Sequence, residues 1–418
     1  MNAERRADAI AIAVLALLPL LLFSDLLLGI HALYTRDLPF YYYPAKKVLR
    51  DVALSGHFPY WNPFFSAGQP LAANPEHEVF YPLTWLILLP NFDFAFHLLI
   101  VLHVSIAMIT MYALLRSMSM RRAAAFLGAL SFGLGGAVLS TLDLLPVLFS
   151  LAWLPLTCLF TRRFLLHRAS RDFALAAFFL GLQLVIGEPA TALQTGILLG
   201  AYALWKQRAR GVGAIALLSG ASLLIAAVQV LPAADHVADS VRSRGLDYDL
   251  VSYWSTPPAR VAELVYPSIF GDPRLDQTYQ YRGARFYDVE QRPYLLSIYC
   301  GLLVAVLMLA GLIARVRGAA LFGAIAIASA LLAFGRHTPL LRLLYESGLA
   351  SWLRYPEKFV LMGLFAAIVF AARVFDGLLD GDARVRRAAL GITGIVTLAA
   401  FAVPDMPIAR GAVLLLLL

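Results

Sequence analysis

The sequence predicts an all-α polytopic membrane protein, and three observations carry that prediction. Of its 418 residues, 61% are hydrophobic and 14% charged. A water-soluble domain carries about 25% charged residues, so this chain lacks the polar surface that solubility requires. Apolar runs of about 20 residues recur along it, the length a helix needs to cross about 30 Å of hydrocarbon. Basic residues gather in the short segments between alternate runs, the pattern that marks a cytoplasmic side.

Taken in order, the apolar runs place spans near 9–30, 94–115, 123–141, 144–161, 172–187, 190–205, 212–232, 294–314, 318–335, 356–374 and 388–404, about 11 in all. The first run follows Arg5 and Arg6 as a signal peptide would. It exceeds the usual length of such a core and no small-residue cleavage site follows it, so it reads as a retained helix. Val79–Pro90 is too short to cross and reads as interfacial or re-entrant. The terminal run GAVLLLLL reads as the start of a span that the sequence leaves incomplete. The whole of 1–418 is expected to form a single transmembrane domain.

Charge patterning orients these spans. With a cytoplasmic N-terminus the inner segments hold Arg5/Arg6, Arg116/Arg121/Arg122, Arg162/Arg163/Arg168/Arg171, Lys206/Arg208/Arg210, Arg315/Arg317 and Arg373/Arg384/Arg386/Arg387. Of the 26 acidic residues, only Glu4, Asp8, Asp172, Asp376, Asp380 and Asp382 fall on that side. Acids contribute little to topology, so their gathering on the other side needs another cause, and an outward site built on carboxylates supplies one. Three long outer loops result, 31–93, 233–293 and 336–355, the first expected to be partly helical. The +8 net charge is spent at helix ends and gives no sign of nucleic acid as a partner. Cys158 and Cys300 both lie in apolar runs, which excludes a disulfide framework or thiol metal site. The sequence contains no GxxxxGK[ST] and no HExxH, and no GxGxxG stands at a strand–helix turn, so nucleotide-driven transport and zinc proteolysis find no support.

The first outer loop is the richest in chemistry. Asp37, just beyond the first span, fits two readings: a carboxylate acting as general base or metal ligand, or an interfacial anchor paired with Arg36 above a tyrosine belt. Prolines 59, 63, 70 and 75 forbid a long helix, while Gly56 and Gly68 permit tight turns, so the loop is pre-shaped. Glu76, His77 and Glu78 carry oxygen and imidazole donors suited to a divalent ion, although three adjacent residues cannot all face one way; a solvated polar turn fits the same residues. Glu188, at the outer end of one run with Pro189 opening the next, is either functional or a helix cap, and Gln194 lies further into that helix. Arg354 and Lys358 stand near a helix N-terminus, where two cations oppose the helix dipole and a bound anion would explain them, as would a lipid headgroup. Arg242 and Arg244 offer two more outward cations suited to a phosphate.

At these residues the chain resembles bacterial YfhO-like membrane proteins, a branch of the GT-C superfamily of polytopic glycosyltransferases. The resemblance rests on Asp37 with the tyrosines ending in Tyr43-Pro44, then on GHFPYWNPFFSAGQPLAANPEHEVFYP, GEPATALQTG, AAVQVLPAADHVADSVRSRG, LVYPSIFGD, LLAFGRHTPL and LRYPEKFVL, in family order from about 31 to 375. It implies a GT-C-like helical bundle in the bacterial cytoplasmic membrane, working on the extracytoplasmic face. Such enzymes pass a sugar from a polyprenyl-phosphate donor to a glycan, lipid or protein acceptor. By position Asp37 would be the catalytic acid, and Asp37, Glu76 and Glu78 the ligands of any divalent cation, Mg2+ or Mn2+. Arg354 and Lys358 would suit the carrier phosphate. Tyr43, Asn62, Gln69, Asn74, Glu188 and Arg244 would contact substrate. Two departures stand out: Glu188 replaces a frequent histidine, and Arg36 precedes Asp37 in place of a small polar residue. The competing class is a transporter or flippase of a lipid-linked saccharide, which broken helices and midplane charges would favour.

Overall fold

The computed structural model describes residues 3–267, 269–274, 281–287 and 292–402, apart from the side chains of 241 and 398–402. The terminal apolar run and the middle of FGDPRLDQTYQYRG lie outside them. The described chain is predominantly helical, as expected of an all-α membrane protein. Four helices among the described residues are long and apolar enough to cross a membrane: Phe92–Ser117, Arg122–Leu139, Leu145–His167 and Pro356–Leu379. A fifth span results if Ala209–Ile225 and Ala227–Ala238, bent by 80°, count as one.

Helices occupy all eleven apolar runs, but several differ from the expected spans in ways the residues explain. The first helix, Ala3–Leu22, begins among Glu4, Arg5, Arg6 and Asp8, and it ends before Ser24. Arg122–Gly133 breaks before resuming at Gly136–Leu139. The run expected at 294–314 becomes helical only at Leu302, after Gly301 at φ +106°. Leu302–Ile313 and Ala319–Ala333 have 12 and 15 residues. At 1.5 Å per residue they reach roughly 18 and 22 Å, short of a full bilayer core. Two residue pairs, Trp61–Asn62 and Gln69–Pro70, form an antiparallel ladder with Trp61 opposite Pro70. Gly56 (φ +80°) and Gly68 (φ +106°) make the turns the loop sequence called for.

Two compact units divide the chain: residues 1–114 with 140–246, and residues 115–139 with 247–418. In the first, Ala3–Leu22 runs antiparallel to Phe92–Ser117. The Tyr112 hydroxyl donates to Asp8 (2.6 Å) and Ser105 Oγ to the Ala16 carbonyl (2.9 Å). Leu145–His167, Ser170–Val185, Pro189–Gln207 and Ala209–Ile225 share a core of Leu165, Ala176, Ala177, Leu199, Ala203, Ile215 and Leu218. Small residues let these helices approach, as membrane packing requires. A Cβ on Gly181 would lie 2.9 Å from Ile225 Cγ2. Arg163 pairs with Asp172 (3.2 Å) at one end of this group, and Asp143 and Gly187 mark the other.

In the second unit Pro356–Leu379 is the central helix, packed against Leu302–Ile313 and Ala319–Ala333. Leu302, Val306, Ala310 and Ile392 form a core where Ala383–Ala402 joins. Beyond the C-terminal end of the central helix, Arg121 pairs with Asp380, and its backbone N–H donates to Asp376 (2.8 Å). At the other end stand Tyr355, Glu357 and Lys358. Each unit therefore gathers one set of predicted inner charges at one end and predicted outer groups at the opposite end.

Candidate functional site

In the first unit the predicted outer segments lie together. Asp37 is exposed and precedes a single π-helical turn, Leu38–Tyr42, which runs directly into the Tyr43–Leu54 helix. Arg36, held at φ +48°, turns its guanidinium toward Asp143 (Nε–Oδ2 3.8 Å) rather than serving only as the partner expected for Asp37. Asp143 is buried, and burial holds its carboxyl above the usual carboxylate range against the Arg36 charge; Asp37 adds to that upward push. Asp37 and Asp143 thus form a neighbouring pair of carboxylates, one open to solvent and one shut away.

One turn beyond Asp37, Tyr41 meets the turn that carries the predicted acids. Asn74 caps Pro75–His77, accepting from the Glu76 amide (3.1 Å) and donating through Nδ2 to the Tyr41 hydroxyl (3.0 Å). Burial, followed by the Glu76 charge, pushes the Tyr41 phenol upward, so it stays neutral. His77 is 1% exposed. Its Nε2 faces Asn74 Nδ2 at 3.4 Å, and its buried Nδ1 has no hydrogen-bond partner. Burial, then the Lys46 and His236 charges, lowers its pKa to about 3, which keeps the ring neutral.

Glu78, at φ +45°, turns inward instead of toward Glu76. There Lys46 donates to its carboxylate and to the His77 carbonyl (2.5 Å), with both side chains buried. Burial raises Glu78 to about 7 and lowers Lys46, each against the pull of the partner. The Lys46 ammonium holds the place at Glu78 that a divalent ion would need. Of the three expected metal ligands, Asp37 and Glu76 are left, and among the described residues no three His, Cys, Asp or Glu side chains come together as a metal site. Mg2+ or Mn2+ held by Asp37 and Glu76 would need water or substrate phosphate oxygens to complete its coordination.

The remaining expected contacts have distinct placements. Tyr43 donates to Asp93 and packs edge-on against Phe92 and Phe96, which binds its helix to Phe92–Ser117. Asn62 is buried and accepts from the Phe64 amide (3.0 Å), closing the hairpin tip. Gln69 is half-buried in the paired strand with Nε2 unpartnered. Glu188 is buried at the N-cap of Pro189–Gln207, where its carbonyl accepts from the Ala192 amide (3.2 Å) and its side chain makes no cap bond. Gly187 (φ +82°) touches Pro75, where an added Cβ would lie 2.3 Å from its Cβ; Glu188 thereby sits beside the Asn74–Glu76 turn. Gln194 is buried nearly two turns further on, its Nε2 without a partner. Arg244 is exposed and ends the turn Val241–Arg244.

Arg354 and Lys358 belong to a separate arrangement in the second unit. Arg354 lies 4.8 Å over the Tyr355 ring, and Lys358 lies 5.6 Å over both Tyr294 and Tyr355. Between them Glu357 turns inward. It accepts from Arg260 and from the backbone N–H of Leu295 (3.0 Å), and it is shut off from solvent. Arg260 also grips Glu263 with two parallel bonds (Nε–Oε1 3.0 Å, Nη2–Oε2 2.7 Å) and donates to the Tyr287 hydroxyl and the Leu295 carbonyl. Among the described residues, Glu357 and Glu263 both turn to Arg260, while Arg354 and Lys358 lie over the tyrosine rings.

Sequence reasoning missed Lys46, Asp143, Arg260 and Glu357. Lys46 reads as half of an ordinary basic pair, and Arg260 as one more loop cation; only the fold buries them. Asp143 did leave a signal, a lone acid between two apolar runs. Compared with protein-family models, curated proteins and solved structures, the chain matches none.

Proposed function

We propose that this chain is a membrane glycosyltransferase of the GT-C type, resembling YfhO-like proteins, with about 11 spans in a bacterial cytoplasmic membrane and its working face outside. It takes a sugar from a polyprenyl-phosphate donor and passes it to an envelope polymer, lipid or protein. One observation carries this reading: Asp37, Asp143, the Asn74–Glu78 turn and Glu188 gather at one end of the first unit, with Asp37 exposed, Glu76 half-buried, and Asp143, Glu78 and Glu188 buried. A base must reach its substrate, and Asp37 is free to do so.

The reaction is a single inverting displacement. The acceptor hydroxyl gives its proton to Asp37 as its oxygen bonds to the anomeric carbon, and the bond from that carbon to the phosphate oxygen breaks. The polyprenyl phosphate leaves with the electron pair and the added negative charge, which needs a cationic partner; the resemblance gives the carrier phosphate to Arg354 and Lys358. Asp37→Asn removes the base while keeping size and polarity. Transfer from a labelled polyprenyl-phosphate sugar should fall by about 10²–10⁴-fold in correctly folded protein. Unchanged transfer would end the assignment.

The second reading, a transporter or flippase of a lipid-linked saccharide, draws on the 80° break between Ala209–Ile225 and Ala227–Ala238. In sealed proteoliposomes it requires movement of a labelled lipid-linked sugar across the bilayer without transfer. The glycosyltransferase reading requires transfer without such movement.

A further inference from the structure

Three aromatic side chains from three separated segments meet beside Arg354 and Lys358. Ring centroids lie 4.6 Å apart for Trp254 and Tyr355, 5.2 Å for Trp254 and Tyr294, and 5.3 Å for Tyr294 and Tyr355. Tyr294 is buried behind, while Trp254 and Tyr355 are half-buried and keep part of their surface open. Both half-buried residues have left-handed backbone, Trp254 at φ +54° and Tyr355 at φ +66°. Glycine or asparagine would adopt that conformation with less strain, so a ring kept there at both positions points to a use for the ring.

Glu357 assembles the cluster. Its backbone N–H donates to the Trp254 carbonyl (3.1 Å), and its carboxylate accepts from the N–H groups of Leu295 (3.0 Å) and Tyr294 (3.4 Å). All three ring-bearing segments thus hang on one residue, which Arg260 in turn anchors. The same arrangement engages the carboxylates of Glu357 and Glu263 with Arg260. Arg354 makes no ion pair among the described residues; its guanidinium rests on Tyr355. Aromatic faces beside two cations suit a ligand that presents an apolar ring face next to an anion.

We propose that Trp254 and Tyr355 form a platform for the sugar ring of a phosphate-linked sugar whose phosphate lies on Arg354 and Lys358, and that Glu357 is the positioning residue that builds it. This rests on the reading of Arg354 and Lys358 as carrier-phosphate ligands, and it adds that the sugar itself is read here.

The test is binding to full-length Asp37→Asn protein in nanodiscs, which holds ligand without turnover. The probes are farnesyl phosphate, farnesyl-phosphoryl glucose, galactose and N-acetylglucosamine, the matching free sugar 1-phosphates, and phosphatidylglycerol vesicles as competitor. At least one sugar should tighten binding about tenfold over farnesyl phosphate, and the free sugar phosphate should keep that preference over inorganic phosphate. Tyr355→Gly, which suits the backbone and deletes the ring, should lose the sugar increment and keep the phosphate affinity. Tyr355→Phe should retain both. Arg354→Ala with Lys358→Ala should weaken every phosphate ligand at least tenfold, with or without the sugar. Glu357→Gln should weaken both parts and shift the emission of Trp254, judged against Trp254→Phe. Equal affinity with and without every sugar, an increment that survives Tyr355→Gly, or full competition by phosphatidylglycerol would overturn the platform. Those outcomes leave transfer by Asp37 standing. A wild-type protein that shows the increment but transfers nothing would overturn the transferase reading alone.

Discussion

Arg260 and Glu357 form an ion pair closed off from solvent, and the same carboxylate holds the amide of Leu295. Neither charge can be rehydrated where it lies; removing Arg260 strands Glu357 and Glu263, while removing Glu357 leaves Arg260 paired with Glu263. Arg260→Met should cost about 3–5 kcal/mol and Glu357→Gln less. Thermal unfolding in one detergent measures this, and the double variant should lose clearly less than the two single losses combined, because Glu357 is then no longer left unpaired. Additive losses would mean that the two groups do not act as a pair.

Gly187 and Gly196 flank one helix start and predict opposite outcomes. Gly187 has φ +82° and Pro75 against it, whereas a Cβ at Gly196 meets nothing within 4 Å. Gly187→Ala should therefore destabilise by at least about 1 kcal/mol through backbone strain alone, with the Pro75 clash added. Gly196→Ala should stabilise by roughly 0.5–1 kcal/mol, since the helix interior gains a better helix former. Thermal midpoints of the two variants, measured side by side, decide this. Equal shifts would remove the contact that seats Glu188 beside the Asn74–Glu76 turn.

Arg36 and Asp143 shape the approach to Asp37. If Asp37 is the base, Asp143 supports it from a buried position and takes no proton from substrate. Asp143→Asn should lower transfer by about tenfold or less, whereas Asp37→Asn lowers it by about 10²–10⁴-fold. Arg36→Ala should resemble Asp143→Asn, since it leaves the buried carboxylate without its cation. Initial rates on labelled donor separate the cases. A larger loss at Asp143 than at Asp37 would transfer the role of base to Asp143.

Much of this architecture was legible because membrane burial writes strong, local signals. Each of the eleven runs read as spans carries a helix among the described residues, and the basic turns around Arg121 and Arg163 lie at the opposite end of their units from the acidic turns. Proline and glycine spacing foretold the shaped loop around Gly56 and Gly68 because those residues act on their own backbone. The span lengths were less legible. Nothing local in the 294–301 run says that Leu295 will hydrogen-bond Glu357 and stay non-helical; that partner is 62 residues away. The site was legible in exposed Asp37 and in half-buried Arg354 and Lys358. It was illegible in Lys46 and Arg260, because burial of a charge is decided by a distant partner. Glu76 and Glu78 looked equivalent, but the left-handed turn at Glu78 sends one inward to Lys46 and leaves the other beside Tyr41.

That inward turn has a consequence for pH. Glu78 is raised from 4.5 to about 7, so its contribution to stability is full below pH 4.5 and is lost as pH rises through about 7. His77 runs the other way. Lowered from 6.5 to about 3, it contributes stability above pH 6.5 that is lost as pH falls through about 3. Between about pH 4.5 and 6.5 the two slopes oppose, each at most about 1.4 kcal/mol per pH unit, and the native protein should show a nearly flat stability profile there. Glu78→Gln should uncover a stability that climbs with pH, and the Lys46 amine, lowered by burial and deprived of its partner, adds in the same direction. His77→Asn should uncover a stability that declines with pH over the same interval. Thermal midpoints across pH 4.5 to 6.5 read the slopes directly. Two flat profiles would mean that neither side chain feels its burial, and the paired environment of Lys46, His77 and Glu78 would have to be abandoned.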